Sequence, residues 1–293
     1  MVKKNPTVNE HYIPQFYLRN FSADNKRIYQ LDIISGKQTQ DPVLIKSICY
    51  EKNLYEFKDE EGKFKSRNLI EDSFSKLERV FSNTIKSIRN RTHSEESYKS
   101  ACFFSKEEKA LLILFIVLQA LRLPESIDTV HNHINSMIKE DISENLLHNT
   151  AINYCLPVYK KLNIEEDHLI NRFLSLFSEM AFIIGKSRND SIYTSDKPFE
   201  LLFDENYKLK SVVFPLSSDM VLYLKPEEQV PNSAYNRLVH LTKGEINYFN
   251  KSMIRNCNRW IFSKTPLSKK QIEWILSERK KANELFQHSC RHN

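Results

Sequence analysis

Hydrophobic positions recur at helical spacing over much of the chain. The longest regular stripe, which predicts an amphipathic helix from Asn68 to about Arg91, is formed by Ile70, Phe74, Leu77, Phe81, Ile85 and Ile88. Residues 110–118 are apolar on every side, which is typical of a helix at the buried centre of a bundle, and Pro124 predicts its end. Similar patterns predict helices over residues 126–149, 165–184 with Gly185 as C-terminal cap, 233–256 and 268–285.

Short alternating or β-branched runs predict strands in two parts of the chain. The run from residue 27 to 33 alternates and precedes a Ser35-Gly36 turn, which indicates a β element near the N-terminus. In the C-terminal half, runs between residues 191 and 224 are punctuated by prolines, and residues 259–262 form a further strand. These later runs predict a small antiparallel sheet.

The predicted strands are segregated from the helices instead of alternating with them, which disfavours a doubly wound sheet. We therefore predict an α+β fold that is predominantly α. It consists of a helical bundle around a buried central helix at residues 106–122, an N-terminal β element and a small antiparallel sheet in the C-terminal half. No repeat or low-complexity linker divides the chain, so we predict a single domain over residues 1–293, with a C-terminal helix and tail from residue 266.

Composition narrows the classes of function. The chain is 41% hydrophobic and 27% charged, which is ordinary for a soluble globular protein. Its formal net charge of +6 is compatible with nucleic acid as a partner without requiring one. The chain has only 4 glycines and contains neither G-x-G-x-x-G nor a Walker A sequence, which argues against glycine-rich loops for nucleotide cofactors.

Cysteine spacing and hydropathy bear on location. The 5 cysteines are scattered and never form a C-x-x-C pair, which fits reduced thiols better than a disulfide framework or a zinc ribbon. The longest apolar run, residues 110–118, has about half the length that a bilayer crossing requires. No apolar segment follows the N-terminal lysines. We expect a cytoplasmic protein that does not associate with membranes.

The stretch from His11 to Phe21 contains the densest group of aromatic and specific polar side chains. Pro14 disfavours a long helix that includes His11, although a helix can begin at Pro14. In an extended segment or in such a helix, His11, Gln15 and Arg19 lie near one another. Two interpretations are open. Either His11 is a general acid or base beside substrate-binding Gln15 and Arg19, or it is a hydrogen-bonded structural histidine.

Three charged side chains of the predicted helices are further candidates. Glu71 and Glu78 lie two turns apart on one flank of the first stripe, so both can point into one cleft. Glu71 also fits N-terminal capping of its helix with Asn68, and Glu78 fits a solvated position. Arg122 ends the most buried helix and must find a carboxylate, a carbonyl or a bound anion. We assign Glu71 and Glu78 to catalysis and Arg122 to phosphate binding, with structural pairing as the alternative.

Ser195 and Asp196 are the last candidates, at the end of a predicted strand before Lys197 and Pro198. Side chains at such positions are exposed and are held by a rigid neighbour. Asp196 can then supply a carboxylate to the site that contains His11, with Ser195 as a substrate contact. The alternative is an Asx or Ser/Thr turn without a role in chemistry.

The stretch from His11 to Phe21 resembles the opening signature of domain-of-unknown-function family 4238, a mostly bacterial family. Weaker blocks continue the resemblance in the same order; they are Asn53-Leu54-Tyr55-Glu56, Ile70-Glu71 with Leu77-Glu78, Arg122-Leu123-Pro124, Thr194-Ser195-Asp196-Lys197-Pro198, Pro215-Leu216-Ser217 and Arg259-Trp260-Ile261-Phe262-Ser263. Together they cover most of residues 5–265. The resemblance implies one fold across this region and no settled activity. A mostly bacterial family is compatible with a toxin-like or phage-defence effector.

Three classes of function are open. In the first, which is our best prediction, the chain is a nucleic-acid-acting hydrolase: His11 is the acid or base, and Glu71, Glu78 and Asp196 position it or bind a divalent metal such as Mg²⁺ or Mn²⁺. In the second, the same groups form a non-enzymatic module that binds a nucleotide, peptide or protein. In the third, they form a buried network that attaches the N-terminal segment to the bundle.

Overall fold

The structure is a computed structural model. It describes residues 6–100, 102–138, 142–156, 169–177, 179–189, 191–231 and 235–290, with the backbone alone at residues 169, 173 and 286–290. The helices are α1 (Gln15–Arg19), α2 (Leu69–Arg91), α3 (Glu95–Lys99), α4 (Lys106–Leu121), α5 (Pro124–Met137), α6 (Glu144–Cys155), α7 (Leu169–Ser175), α8 (Lys243–Asn256) and α9 (Lys269–Cys290).

The described strands lie in two parts of the chain, residues 9–66 and residues 180–263. They are β1 (Asn9–His11), β2 (Arg27–Asp32), β3 (Lys37–Gln38), β4 (Val43–Leu44), β5 (Tyr50–Lys52), β6 (Phe57–Lys58), β7 (Phe64–Ser66), β8 (Met180–Lys186), β9 (Thr194–Ser195), β10 (Glu200–Phe203), β11 (Leu209–Ser217), β12 (Met220–Pro226), β13 (Arg237–His240) and β14 (Trp260–Ser263).

The chain divides into two compact units. The first consists of residues 1–14, 49–84 and 107–178, and the second consists of residues 15–48, 85–106 and 179–293. The expectation of a single domain over residues 1–293 stays a prediction.

The first unit is mainly helical and contains two small antiparallel ladders, β1 with β5 and β6 with β7. The last two turns of α4 are buried, and Phe115 of this helix stacks on Phe81 of α2 with ring centres 4.9 Å apart. Asn149 of α6 attaches β6 by accepting from the Lys58 N–H at 3.1 Å and donating to the Lys58 carbonyl at 2.6 Å. Apolar packing between helices and local side-chain bonds to the strands therefore shape this unit.

The second unit contains a five-stranded sheet in the order β10-β11-β12-β8-β13. Neighbouring strands are antiparallel except β13, which runs parallel to β8. The helix α8 packs on this sheet through Phe249 and Met253. Close packing requires glycine at position 185 of β8, because a Cβ at this position would lie 2.4 Å from Cδ2 of Leu241. No side chain larger than hydrogen fits there unless Leu241 moves.

A second five-stranded sheet in this unit contains strands from the N-terminal and C-terminal parts of the chain. Its order is β3-β2-β14-β9, and β4 also pairs with β2. All these pairs are antiparallel. The helix α9 begins after Ser268, whose hydroxyl accepts from the Gln271 N–H at 3.4 Å, and Ile275 of α9 packs against Leu31 and Ile261 of the sheet.

The predicted fold class is wrong in its architecture, although α+β describes the chain. No single bundle forms around α4, because α8 and α9 pack on the sheets of the second unit. The sheet of the C-terminal half is neither small nor wholly antiparallel, since it has five strands and a parallel β8–β13 pair. The N-terminal β element is not separate, because β2 pairs directly with β14.

Two helix predictions explain the error. The predicted helix over residues 165–184 contains β8, whose residues Met180–Lys186 are mostly buried on both faces. A continuous apolar run of this kind fits a buried strand as well as a helix. The predicted helix over residues 233–256 contains β13, and α8 begins only after Thr242, which forms a capping box with Glu245. Residues 165–168 and 232–234 lie outside the described residues.

Membrane-spanning potential is limited to one bent pair of helices in the described part of the chain. There, no single helix is both long and apolar enough to span a bilayer. The helices Lys106–Leu121 and Pro124–Met137, which are bent by 64° relative to each other, are together long and apolar enough for such a span.

Candidate functional site

The residues singled out from the sequence fall into both compact units. The first unit contains His11, Glu71, Glu78 and Arg122, and the second contains Gln15, Arg19, Ser195 and Asp196. Their roles in catalysis and substrate binding stay predictions. Within each unit, the contacts show what these side chains do structurally.

Arg122 lies at the centre of the polar contacts in the first unit. It is 3% exposed, and its Nη1 lies 2.9 Å from Oε1 of Glu78. Its Nη2 donates to the His11 carbonyl, and its guanidinium carbon lies 4.0 Å from the centre of the Phe74 ring. The Arg122 carbonyl accepts a 2.8 Å hydrogen bond from the Tyr55 hydroxyl. The guanidinium therefore has a carboxylate, a carbonyl and an aromatic face around it, as a buried cation requires.

The N-terminal strand is held through its backbone. Nε2 of Gln119 donates to the Tyr12 carbonyl at 2.9 Å, one turn of α4 before Arg122 reaches the His11 carbonyl. On the other side, the Tyr12 N–H donates to the Cys49 carbonyl at 3.0 Å. The His11 ring lies 5.6 Å from the Tyr50 ring. These contacts are those expected of the structural network, the third of the predicted classes.

Two buried glutamates that the sequence analysis missed accompany this network. Glu10 and Glu56 are each 1% exposed. Oε2 of Glu10 accepts from the Tyr55 N–H at 2.7 Å, and Oε1 of Glu56 accepts from the Asn68 N–H at 2.8 Å. Glu10 directly precedes the signature stretch, and Glu56 lies in a block that carries the family resemblance. Both residues could therefore have been identified as candidates from the sequence.

Glu10 and Glu71 of the first unit have altered acidity. Burial raises the pKa of Glu10 to about 8 against the lowering effect of the Tyr55 N–H, and the nearby Glu56 and Glu71 add to the increase. Burial also raises the pKa of Glu71 to about 7, although Arg122 lowers it. Oε1 of Glu71 is buried and has no hydrogen-bond partner among the described residues. A carboxyl group that titrates near neutral pH is suited to proton transfer.

Metal binding has no visible ligand set in the described part of the chain. There, no group of three or more His, Cys, Asp or Glu side chains is arranged to hold a metal ion. Glu56 and Glu78 instead contact arginines, Arg67 at 3.2 Å and Arg122 at 2.9 Å. The divalent metal stays a prediction.

Asp196 acts as a clamp on residues 258–260 within the second unit. It is 3% exposed, and its carboxylate accepts from the N–H groups of Asn258, Arg259 and Trp260 at 2.9, 2.8 and 3.1 Å. Burial raises the pKa of Asp196 to about 6, while these N–H donors lower it. The neighbouring Ser195 forms a turn, since its hydroxyl donates to the Lys197 carbonyl at 2.7 Å. Ser195 therefore has the contacts of the turn alternative. Asp196 does not, because it bonds to backbone groups 62 to 64 residues away, and the expectation that its side chain is exposed is wrong.

Gln15 and Arg19 contact each other on the exposed face of α1, with Nη2 of Arg19 3.4 Å from Oε1 of Gln15. The buried Tyr17 of the same helix donates to the Pro215 carbonyl at 2.8 Å and lies 2.8 Å from the Thr194 hydroxyl. The signature stretch thus fixes α1 through Tyr17, while its two polar candidates face solvent.

The second unit contains a cavity of about 540 Å³, which we call the α8–α9 pocket and which none of these candidates lines. It is lined by the first two turns of α8 and α9, by Leu241, and by Ser187, Arg188, Asn189, Ser191 and Tyr193 of the loop between β8 and β9. Asp190 of this loop lies outside the described residues. Three kinds of side chain dominate the lining. The cations are Arg188, Lys243 and Lys270, the carboxamides are Asn189, Asn247, Asn250 and Gln271, and the large aromatic rings are Tyr193 and Trp274.

The floor of the α8–α9 pocket is fixed by hydrogen bonds. Oδ1 of Asn250 accepts from the Tyr193 N–H at 2.9 Å, and its Nδ2 donates to the Ser191 carbonyl at 2.8 Å. Nε2 of Gln271 donates to the Tyr193 hydroxyl at 3.0 Å. The hydroxyls of Ser187 and Ser191 lie 3.0 Å apart. The loop between β8 and β9 and the two helices are thereby held in one arrangement.

The cations at the mouth of the pocket are not neutralised by the described part of the chain. Arg188, Lys243 and Lys270 are exposed and form no ion pair with any described carboxylate. Lys243 is the first residue of α8 and Lys270 the second of α9, and the first turn of α9 contains no acidic residue. Cations at the positive end of a helix are electrostatically unfavourable. Sequence reasoning passed over them because single lysines at helix starts look like ordinary solvated residues.

Comparison with known proteins places the chain in a family. Residues 9–266 match the family model described as "Protein of unknown function (DUF4238)". The chain belongs to the DUF4238 family. The resemblance carried by the signature stretch is thus confirmed, and the two compact units both lie largely within the DUF4238 match. No curated protein and no solved structure matches the chain.

Substitution of Arg122 tests the network in this DUF4238 protein. We expect Arg122→Met to lower the free energy of unfolding by about 3 kcal/mol, because it removes the partner of Glu78 and the donor to the His11 carbonyl. Urea denaturation measures the change. The matched control is Arg79→Met on the exposed face of α2, with an expected change within about 0.5 kcal/mol. Equal effects of the two substitutions would contradict the network.

The raised pKa of Glu10 gives a pH dependence. The folded state holds the proton more tightly than the unfolded state, so the contribution of Glu10 is complete below its ordinary pKa of 4.5 and is lost as pH rises through about 8. We expect Glu10→Gln, which keeps an acceptor for the Tyr55 N–H, to reduce the fall in unfolding free energy between pH 5 and 8. Urea denaturation at several pH values measures this against the exposed control Glu60→Gln. An unchanged pH profile in Glu10→Gln would count against the assignment.

Proposed function

We propose that this DUF4238 protein is a binding module for a phosphate-bearing ligand, which occupies the α8–α9 pocket. The observation that carries the proposal is the set of three cations, Arg188, Lys243 and Lys270, around one cavity without an ion-pair partner among the described residues. Exposed single cations are common on surfaces, but three that converge on a cavity favour an anionic ligand.

The position of the two lysines supports a phosphate in particular. Helix starts present backbone N–H groups and a positive partial charge, and both features favour bound phosphate. Lys243 and Lys270 stand at the starts of α8 and α9, where each adds positive charge to the positive end of a helix. Glu245 partly offsets this charge in the first turn of α8, whereas the first turn of α9 contains no acidic residue. A phosphate group bound there would relieve this repulsion.

The shape and rigidity of the cavity agree with a small ligand. Its volume of about 540 Å³ lies within the range of pockets for small molecules. Its floor is fixed by hydrogen bonds of Asn250, Gln271 and Tyr193. Ligand binding therefore costs little conformational entropy of these side chains. A binding function of this kind is the non-enzymatic alternative among the predicted functions, at residues other than those predicted.

Phosphodiester hydrolysis is the second candidate. The observation in its favour is Glu71, whose pKa of about 7 and buried Oε1 without a described hydrogen-bond partner suit acid–base chemistry. His11 and Arg122 have backbone and ion-pair contacts that account for them structurally. Nucleic acid as a partner, a cytoplasmic location and a bacterial role in phage defence stay predictions.

Titration with pyrophosphate tests the binding function. We expect calorimetry at low salt to detect binding by the full chain, and Lys270→Gln to weaken it about three- to tenfold, because one unit charge near a phosphate contributes about 1 kcal/mol. The matched control is Lys280→Gln, which removes an exposed lysine from a later turn of α9.

Circular dichroism of both variants checks that the fold is retained. Absence of binding by the wild-type chain at millimolar pyrophosphate would refute the proposal. So would equal affinities of Lys270→Gln and Lys280→Gln.

A further inference from the structure

We propose that the ligand of the α8–α9 pocket is a nucleotide, whose base stacks on Trp274 while its phosphates bind the three cations. The inference rests on the proposed binding function and adds the chemical class of the ligand. Phosphate would contact the cations of the pocket and leave Trp274 and Asn247 without a ligand contact.

Trp274 supplies an aromatic surface on the wall of the pocket. It lies on α9 one turn after Lys270 and is half-buried, packing on one side against the cluster that contains Ile275 and Ile261. Its indole N–H forms no hydrogen bond within the described residues, although an indole N–H that is taken from water needs an acceptor. A flat heterocycle with ring nitrogens and carbonyl oxygens provides both a stacking face and acceptors.

The carboxamides of the pocket divide into two groups. Asn250 and Gln271 already bond to the floor, through Tyr193, Ser191 and the Ser268 cap. Asn189 and Asn247 are exposed and line the same pocket, and their side-chain amides form no hydrogen bond within the described residues. A side-chain amide offers one acceptor and two donors, which is the pattern that pairs with the edge of a nucleobase. Of these two residues, Asn247 lies on α8 one turn after Lys243, so we assign the hydrogen bond with the base to Asn247.

Spacing along the helices agrees with one ligand that touches both ends of the pocket. Lys243 and Asn247 are four residues apart on α8, and Lys270 and Trp274 are four residues apart on α9. Each helix therefore presents a cation at its start and a base-binding group one turn later on the same face. A nucleotide has this same order, with charge at one end and a flat ring at the other.

Paired ligands separate the inference from the proposed function. We expect at least one of the four common ribonucleoside diphosphates to bind the full chain about tenfold more tightly than pyrophosphate, because the phosphates are shared and the base adds stacking. In the variant Trp260→Phe, which leaves Trp274 as the single tryptophan, the same nucleotide should quench fluorescence and pyrophosphate should not.

Two substitutions assign the base contact. We expect Trp274→Leu to remove the nucleotide advantage and to leave pyrophosphate affinity within about twofold of the wild type. Because Trp274 also packs on a core cluster, Asn247→Ala on the exposed surface is the second variant, with nucleotide affinity reduced about threefold and pyrophosphate affinity unchanged.

The outcomes distinguish the two claims. Equal affinities for pyrophosphate and every nucleotide would overturn the nucleotide inference and leave the phosphate-binding function standing. Failure of all these ligands to bind would overturn both. A nucleotide preference that survives both Trp274→Leu and Asn247→Ala would place the base elsewhere and overturn the inference as stated.

Discussion

The buried carboxylate of Asp196 is the interaction on which the second unit depends. It accepts three consecutive backbone N–H groups, those of residues 258–260, just where the chain leaves α8 and enters β14. The strand β14 then pairs with β2 on one side and β9 on the other. Because α9 begins shortly after β14, the same clamp helps to fix the start of α9 relative to α8. The α8–α9 pocket is a consequence of this placement.

Charge is handled in two different ways within the chain. In the first unit, Arg122 is buried and is surrounded by Glu78, a backbone carbonyl and an aromatic ring. A buried guanidinium requires such partners, and here they also hold the N-terminal strand. In the second unit, Lys243 and Lys270 remain exposed around a cavity whose floor is fixed. The first arrangement satisfies charge internally, whereas the second leaves charge for a ligand.

Local pattern predicted several elements correctly. The apolar stripe from Ile70 to Ile88 became α2, and the alternating run from residue 27 became β2. Prediction failed where local pattern is ambiguous. The run Met180–Lys186 is apolar in both a helix and a buried strand, and only its pairing with β12 and β13 makes it a strand. That pairing joins residues distant in sequence, so no local window contains it.

The candidate site shows the same division. The sequence indicated Arg122 because a charged group at the end of a buried helix needs partners, and Arg122 has them. It indicated Asp196 as an exposed side chain at a strand end, whereas Asp196 is buried and accepts backbone N–H groups that are distant in sequence. It did not indicate Lys243 or Trp274, since their significance comes from two helix starts that meet at one cavity. The scarcity of glycine argues against a glycine-rich phosphate loop, and the pocket uses helix starts and side-chain cations instead.

A crystal structure of the full chain with a bound nucleoside diphosphate tests the central claim most directly. We expect phosphate oxygens within hydrogen-bond distance of the Lys243 and Lys270 side chains, and the base ring in van der Waals contact with the indole of Trp274. Density for the ligand at another place, with the α8–α9 pocket filled only by water at saturating ligand, would contradict the account.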